Sequence, residues 1–251
     1  MSKNHSTIQE HFLELRKRIF LSVFFFVISF LVCYFFSEEI YQFLLQPFAE
    51  ISSEYQNRRL IYTSPTEAFT TYIKLSFYLA LFFSFPFFII QLYLFLSPAL
   101  YKNEKKNILL IFFFSPFLFL CGAIFAFYFI FPLALKFFAS FETQSFASSQ
   151  NFPIQLETKI SEYLNFLLNL IFGFGIAFLS PIFLLFLIRI DFLSIDDLRK
   201  KRRYWIVIIF IIAAILTPPD VLSQLSLSIL MILFFEIVIL IGKNFNKKNK
   251  K

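Results

Sequence analysis

Glycine, histidine, cysteine and charge are all scarce in this chain. Only four glycines occur in 251 residues, and no Gly-rich loop of the kind that cradles a phosphate is present. The two histidines, His5 and His11, both lie in the N-terminal tail, so the sequence has neither an HExxH pair nor a Ser/His/Asp set. The expectation is a protein that is not an enzyme and has no cofactor. The two cysteines, Cys33 and Cys121, fall inside apolar runs and read as small buried hydrophobes rather than as a disulfide framework or a metal site. Charged residues make up 16% of the chain against 59% hydrophobic, with a mean hydropathy of +0.74. A soluble domain of this size needs a polar shell, and this composition cannot supply one.

What is present is long apolar runs. Six of them, at 19–36, 75–95, 108–131, 163–190, 204–216 and 221–241, read as membrane spans. In lipid every backbone group must bond within its own segment, so the runs are helices and the fold class is all-α, a polytopic membrane protein forming one domain over 1–251. Residues 1–18 form a polar tail and 242–251 a basic one. The first run is too long, and lacks the small-residue cleavage site, to read as a cleaved secretory signal. Pro86, Pro116 and Pro181 fall inside spans and are expected to kink or break them. The fifth span has 13 apolar residues, about 20 Å of helix, which is short of a bilayer core of about 30 Å. The rigid turn Thr217-Pro218-Pro219-Asp220 follows it, so the last two spans read as a shallow hairpin in a locally thinned membrane.

Orientation follows from lysine and arginine. The N-terminal tail carries Lys3, Arg16, Lys17 and Arg18, and the connection after the second span carries Lys102, Lys105 and Lys106. The connection after the fourth holds Arg189, Arg199, Lys200, Lys201, Arg202 and Arg203, and the C-terminal tail holds Lys243, Lys247, Lys248, Lys250 and Lys251. With six spans, 18 of the 23 basic residues share one face, whereas five or seven spans would divide the clusters. Both termini are therefore expected on the basic, cytoplasmic-type face (matrix or stromal in an organelle).

On the other face, residues 37–71 contain EEIYQFLLQPF, whose Ile40, Phe43, Leu44 and Phe48 have the spacing of an interfacial amphipathic helix. Residues 136–162 read as a polar cap. Polar groups at membrane depth are few. Gln91 lies in the second span, and Glu236 lies in the sixth, where Lys243 or water is its expected partner; a charge at a span centre costs about 2.5–3.5 kcal/mol. Glu67 and Lys74 flank the start of the second span and read as interfacial anchors. Glu14 and Glu104 sit among basic residues of the positive face. They either balance charge on a solvated surface or present carboxylates to a cationic ligand, and a guanidinium suits a carboxylate bidentately.

The chain resembles the TatC family, the polytopic receptor subunit of the twin-arginine protein translocase. The matching segments are HFLELRKR (11–18), TSPTEAF (63–69), FP followed by QLYLFLSPALYKNEKK (85–106), FPLA (131–134), DLRKKRRY (197–204) and LTPPDVLSQ (216–224). The resemblance implies binding of Arg-Arg signal peptides and transport of folded proteins driven by the proton-motive force, with no nucleotide site. It also implies that Glu14, Arg16, Glu104 and Phe95 serve signal binding, and that Pro47, Pro65, Glu67, Pro86, Asp220 and Gln224 belong to structural or translocation motifs. The implied partners are twin-arginine signal peptides, single-span TatA/TatB-type subunits along the last two spans, membrane lipid and further copies of the chain, with no nucleic acid. In one place the sequence departs from the family: Leu179 stands where many members carry a glutamate or glutamine just before a proline, and Ser180 is the neighbouring group able to hydrogen-bond.

Two other readings remain open at this level. One is a partner-independent secondary transporter of small solutes, which would need midplane polar residues and usually an internal repeat; no clear repeat is present. The other is a degenerate TatC-like scaffold, which the change at Leu179 keeps open. The 43 phenylalanines, with abundant lysine and asparagine, fit an AT-rich coding genome. They point first to an organelle-encoded chain in the mitochondrial inner membrane, then to the plastid thylakoid, with a bacterial plasma membrane as the alternative.

Overall fold

The computed structural model describes residues 8–49, 60–96, 102–141, 157–190 and 192–248. Its long helices follow from the apolar runs, because a chain with few glycines and no water at membrane depth satisfies its backbone by i→i−4 bonds. In chain order these helices are α1 (Ile8–Phe35), α2 (Ser37–Leu44), α3 (Glu67–Leu96), α4 (Lys102–Phe125), α5 (Phe131–Ala139), α6 (Ile160–Phe178), α7 (Ser180–Arg189), α8 (Ile195–Lys200), α9 (Arg202–Leu216) and α10 (Val221–Lys248). Among the described residues five stretches are long and apolar enough to cross a bilayer: Glu10–Phe35, Glu67–Phe95, Phe112–Ala139, Ile160–Arg189 and Val221–Gly242. The remaining crossing is α9, whose 15 residues make a rod of about 22 Å.

Prolines set the irregularities. The third crossing continues past its expected end at residue 131 through a π-helical turn, Ala126–Ile130, into α5. Pro132 has no N–H to give to the preceding turn, and the ladder skips one residue, with Phe131 N–H bonding Ala126 O. The fourth crossing breaks at Leu179 between α6 and α7, with Pro181 in the first turn of α7. Pro86 and Pro116 lie inside continuous helices.

The bundle is organised around α6, which packs against α3, α4, α9 and α10. Its Leu164, Leu167, Leu168, Leu170, Phe174 and Ala177 are buried. Glycine permits the closest crossings. A Cβ at Gly122 of α4 would lie 2.6 Å from Phe174 O, and one at Gly173 of α6 would lie 2.6 Å from Leu216 O. Such small-residue contacts are how membrane helices gain packing when lipid removes the hydrophobic drive for association. At the edge of the bundle, α1 packs mainly along α3 and turns Phe20, Phe24, Leu31 and Phe35 outward, as a lipid-facing helix does.

The two loops assigned to the non-basic side are tied together. A two-residue parallel ladder pairs Leu60 with Thr158 and Ile61 with Lys159, an element with no periodic signal in the sequence. The amphipathic helix forms as expected in α2, but its apolar side meets protein: Leu44 is buried, and Phe43 stacks on Phe127 with ring centroids 5.3 Å apart. Tyr163 of α6 donates its hydroxyl to Leu44 O at 2.9 Å.

Candidate functional site

At the basic end the start of α1 meets the end of α3. Phe95 stacks on His11 at 4.5 Å with the rings 18° apart, which fixes the register of the two helices there. One turn further along α1, Glu14 Oε1 accepts from Arg18 Nε at 3.0 Å and also from Arg18 Nη2. The third guanidinium nitrogen, Nη1, donates to Gln91 Oε1 of α3 at 3.2 Å. Glu14 and Arg18 are four residues apart and so share one helix face, and the Arg18–Gln91 bond joins that face to α3. Both charged side chains are largely covered, 22% exposed for Arg18 and 34% for Glu14. Beside them opens a cavity of about 250 Å³ between α1 and α3, lined by Leu15, Arg18, Ser22, Phe88, Gln91 and Phe95 among others. The arrangement is a carboxylate that takes a guanidinium, with an apolar slot running from it toward membrane depth.

Of the residues singled out from sequence, Glu14 and Phe95 belong to this cluster. Arg16 does not: it is exposed, and two residues along a helix place it about 200° round α1 from Glu14. Glu104 lies in the first turn of α4, and its side chain falls outside the described residues. Six residue steps separate Leu96 from Lys102, so the two helix ends are at most about 22 Å apart. Arg18 and Gln91 are the members that sequence reading did not assign to the site. In the sequence Arg18 reads as an orientation charge, although its i,i+4 spacing from Glu14 is a usable signal.

A second polar centre lies at the opposite end. Glu67 is buried, and its carboxylate gathers four donors: Thr63 N at 2.7 Å and Thr63 Oγ1 at 3.2 Å on Oε2, and Ser161 Oγ at 2.6 Å and Ser161 N at 3.3 Å on Oε1. The last two bonds tie the first turn of α3 to the first turn of α6, where the N-terminal amides favour an anion. Glu67 is thus a tertiary clamp rather than a simple interfacial anchor. Pro65 is exposed in the turn before α3, and Pro47 is buried in the helical turn after α2, next to Phe48, whose ring meets Tyr163 edge-on at 5.6 Å.

The α9–α10 hairpin is pinned at both ends. Asp220 caps α10, its Oδ1 accepting from Ser223 N at 2.7 Å. Gln224 N–H bonds Asp220 O at 3.2 Å. At the other end Arg202 pairs with Glu236 at 3.0 Å, and Trp205 stacks on Phe235 at 6.0 Å. The sequence suggested Lys243 or water for Glu236. The observed partner is Arg202, because the hairpin brings the start of α9 beside the middle of α10. At the α6–α7 break Leu179 is the junction residue, and Ser180 Oγ is buried with no hydrogen-bond partner among the described residues.

Helices of bilayer length, with the described ion pairs gathered toward their ends, make this a multi-pass α-helical membrane protein. A family model described as Sec-independent protein translocase protein (TatC) matches residues 10–229. The TatC of Rickettsia prowazekii (strain Madrid E) is 48% identical over 94% of this chain and 92% of its own length. An uncharacterized tatC-like protein, ymf16, of Reclinomonas americana is 38% identical over 96% of this chain and 89% of its own. A crystal structure described as the twin arginine translocase receptor TatC in DDM superposes with a TM-score of 0.76 at 35% identity, covering 93% of this chain and 99% of that one. The chain belongs to the TatC family, and its role is that of a core subunit of the Sec-independent, twin-arginine protein translocase.

Proposed function

We propose that this chain is the receptor that captures Arg-Arg signal peptides, through the carboxylates of Glu14 and Glu104 on the basic end of the bundle. The supporting observation is that Glu14 already holds a guanidinium, that of Arg18, through two hydrogen bonds at the mouth of an apolar slot between α1 and α3. A signal peptide has the matching chemistry, an arginine pair followed by an apolar stretch. Each charge-assisted bond contributes about 1.5–3 kcal/mol before desolvation. Phe95 lines the slot and braces α1 through His11. Capture positions the cargo, and the proton-motive force drives transport of the folded protein. TatA/TatB-type single-span subunits bind along the α9–α10 hairpin, whose short α9 thins the bilayer locally.

In this reading both termini face the cytoplasmic-type side, as the lysine and arginine distribution supports. The membrane is an inner membrane. The 48% identity to a Rickettsia chain, against 38% to the Reclinomonas chain, moves the compartment from the organelle toward a bacterium, and an AT-rich intracellular genome fits the phenylalanine content equally well. The test is photo-crosslinking of an Arg-Arg signal peptide to the membrane-inserted chain. The Glu14→Ala, Glu104→Ala double variant should lose the crosslink while remaining inserted. An unchanged crosslink would sink the roles given to these carboxylates.

A further inference from the structure

We infer that Arg18 is a built-in competitor that occupies Glu14 until a signal arginine displaces it, and so sets the affinity threshold of the receptor. The inference rests on Glu14 being the capture site, as proposed above. Glu14 Oε1 is not a bare acceptor: it holds Arg18 Nε at 3.0 Å and also Nη2. Arg18 Nη1 is held at 3.2 Å by Gln91, which keeps the guanidinium turned along α1 toward the carboxylate. An incoming cation therefore meets a carboxylate already engaged by the strongest natural partner it could have.

Binding then becomes an exchange. A guanidinium from the ligand replaces the guanidinium of Arg18, with the number of charge-assisted bonds to Glu14 conserved. An ammonium replaces a fork of two N–H donors with a single compact charge, and the exchange runs uphill. Competition of this kind lowers the apparent affinity of every cationic ligand by the same factor, the fraction of receptors with Glu14 free. The ratio between an arginine and a lysine ligand stays fixed, while weak ligands fall below the range in which they are populated. Ordinary basic segments near the membrane surface are thereby kept off a face that is itself built to sit beside cations.

The experiment measures dissociation constants for the full chain in nanodiscs, with a synthetic Arg-Arg signal peptide and its Lys-Lys counterpart. Arg18→Gln should tighten both peptides by about fivefold and Arg18→Lys by about twofold, the scale of one half-covered ion pair. The Arg/Lys ratio should not move. Arg18→Lys keeps the local charge, so a gain there reflects the lost fork of hydrogen bonds rather than relief of repulsion. Weaker or unchanged binding in both variants would overturn the inference, and so would a gain confined to Arg18→Gln. Glu14→Gln separates the two levels. If it leaves Arg-Arg binding intact, the capture site itself is misplaced. If it abolishes binding while the Arg18 variants bind as the unmodified chain does, only the competitor role fails.

Discussion

Gly122→Leu should disrupt the α4–α6 crossing and lower the stability of the detergent-solubilised protein by about 3 kcal/mol or more, in the range of severe overpacking. The reason is what the new side chain would meet. A Cβ at Gly122 would sit 2.6 Å from the backbone oxygen of Phe174 and 2.9 Å from the ring of Phe178. The ring can rotate, but the backbone carbonyl belongs to the buried hub helix and cannot move without shifting its contacts to α3, α9 and α10. The helices must separate, and in a membrane no hydrophobic gain brings them back. Gly242 provides the contrast. A Cβ there meets only side-chain atoms of Ile195, Cδ1 at 2.7 Å and Cγ1 at 3.1 Å, which can turn aside as a backbone carbonyl cannot. Gly242→Ala should therefore melt within a few degrees of the unmodified chain. Thermal denaturation followed by size-exclusion chromatography distinguishes the two variants, and equal melting temperatures would remove the argument from close approach.

Glu67→Ala is the second large effect. It removes the acceptor for four part-buried donors on Thr63 and Ser161, two of them backbone amides, where α3 meets α6. Water can replace the carboxylate at the exposed Thr63, so the loss falls mainly on the two Ser161 bonds that join α3 to α6, and the expected result is a melting temperature lower by several degrees. Glu67→Gln keeps one oxygen acceptor and should lose about half as much. The two variants also differ in place. Proteolysis should open the non-basic end of the Glu67→Ala bundle, where the starts of α3 and α6 separate, while the His11–Phe95 contact at the other end stays closed. A melting temperature unchanged in Glu67→Ala would show that the clamp is dispensable.

These two sites mark where sequence reading stops. Span positions were legible because hydropathy and basic clusters act over local windows. A break at Pro181 was legible because proline lacks an N–H, but the same argument applied to Pro86 and Pro116, which stay inside continuous helices. The amphipathic character of α2 could be read from Ile40, Phe43, Leu44 and Phe48, but the surface it covers could not. Glu67 and Ser161 are 94 residues apart, and Arg18 and Gln91 are 73 apart. No periodicity links residues at that distance, and only the packing of the helices brings them together. The Arg202–Glu236 pair went unread for the same reason: Arg202 is distant along the chain, and only the α9–α10 hairpin brings it to 3.0 Å from Glu236. Glu14 was legible as a candidate and Arg18 as its i,i+4 neighbour, but the Gln91 carbonyl on α3 that holds the guanidinium was not. The glycines read as scarcity in the sequence, and at Gly122 and Gly173 their function is the close approach of one helix to another's backbone.

The central claim is that the carboxylates on the basic face make this family member a working receptor. Complementation tests it most directly. The chain is expressed with TatA/TatB-type partners in cells lacking their own TatC, and export of a folded cargo with an Arg-Arg signal is measured. The unmodified chain should restore export, and the Glu14→Ala, Glu104→Ala variant, inserted to the same level, should not. Export that persists in the double variant, or fails with the correctly inserted unmodified chain, would contradict the account.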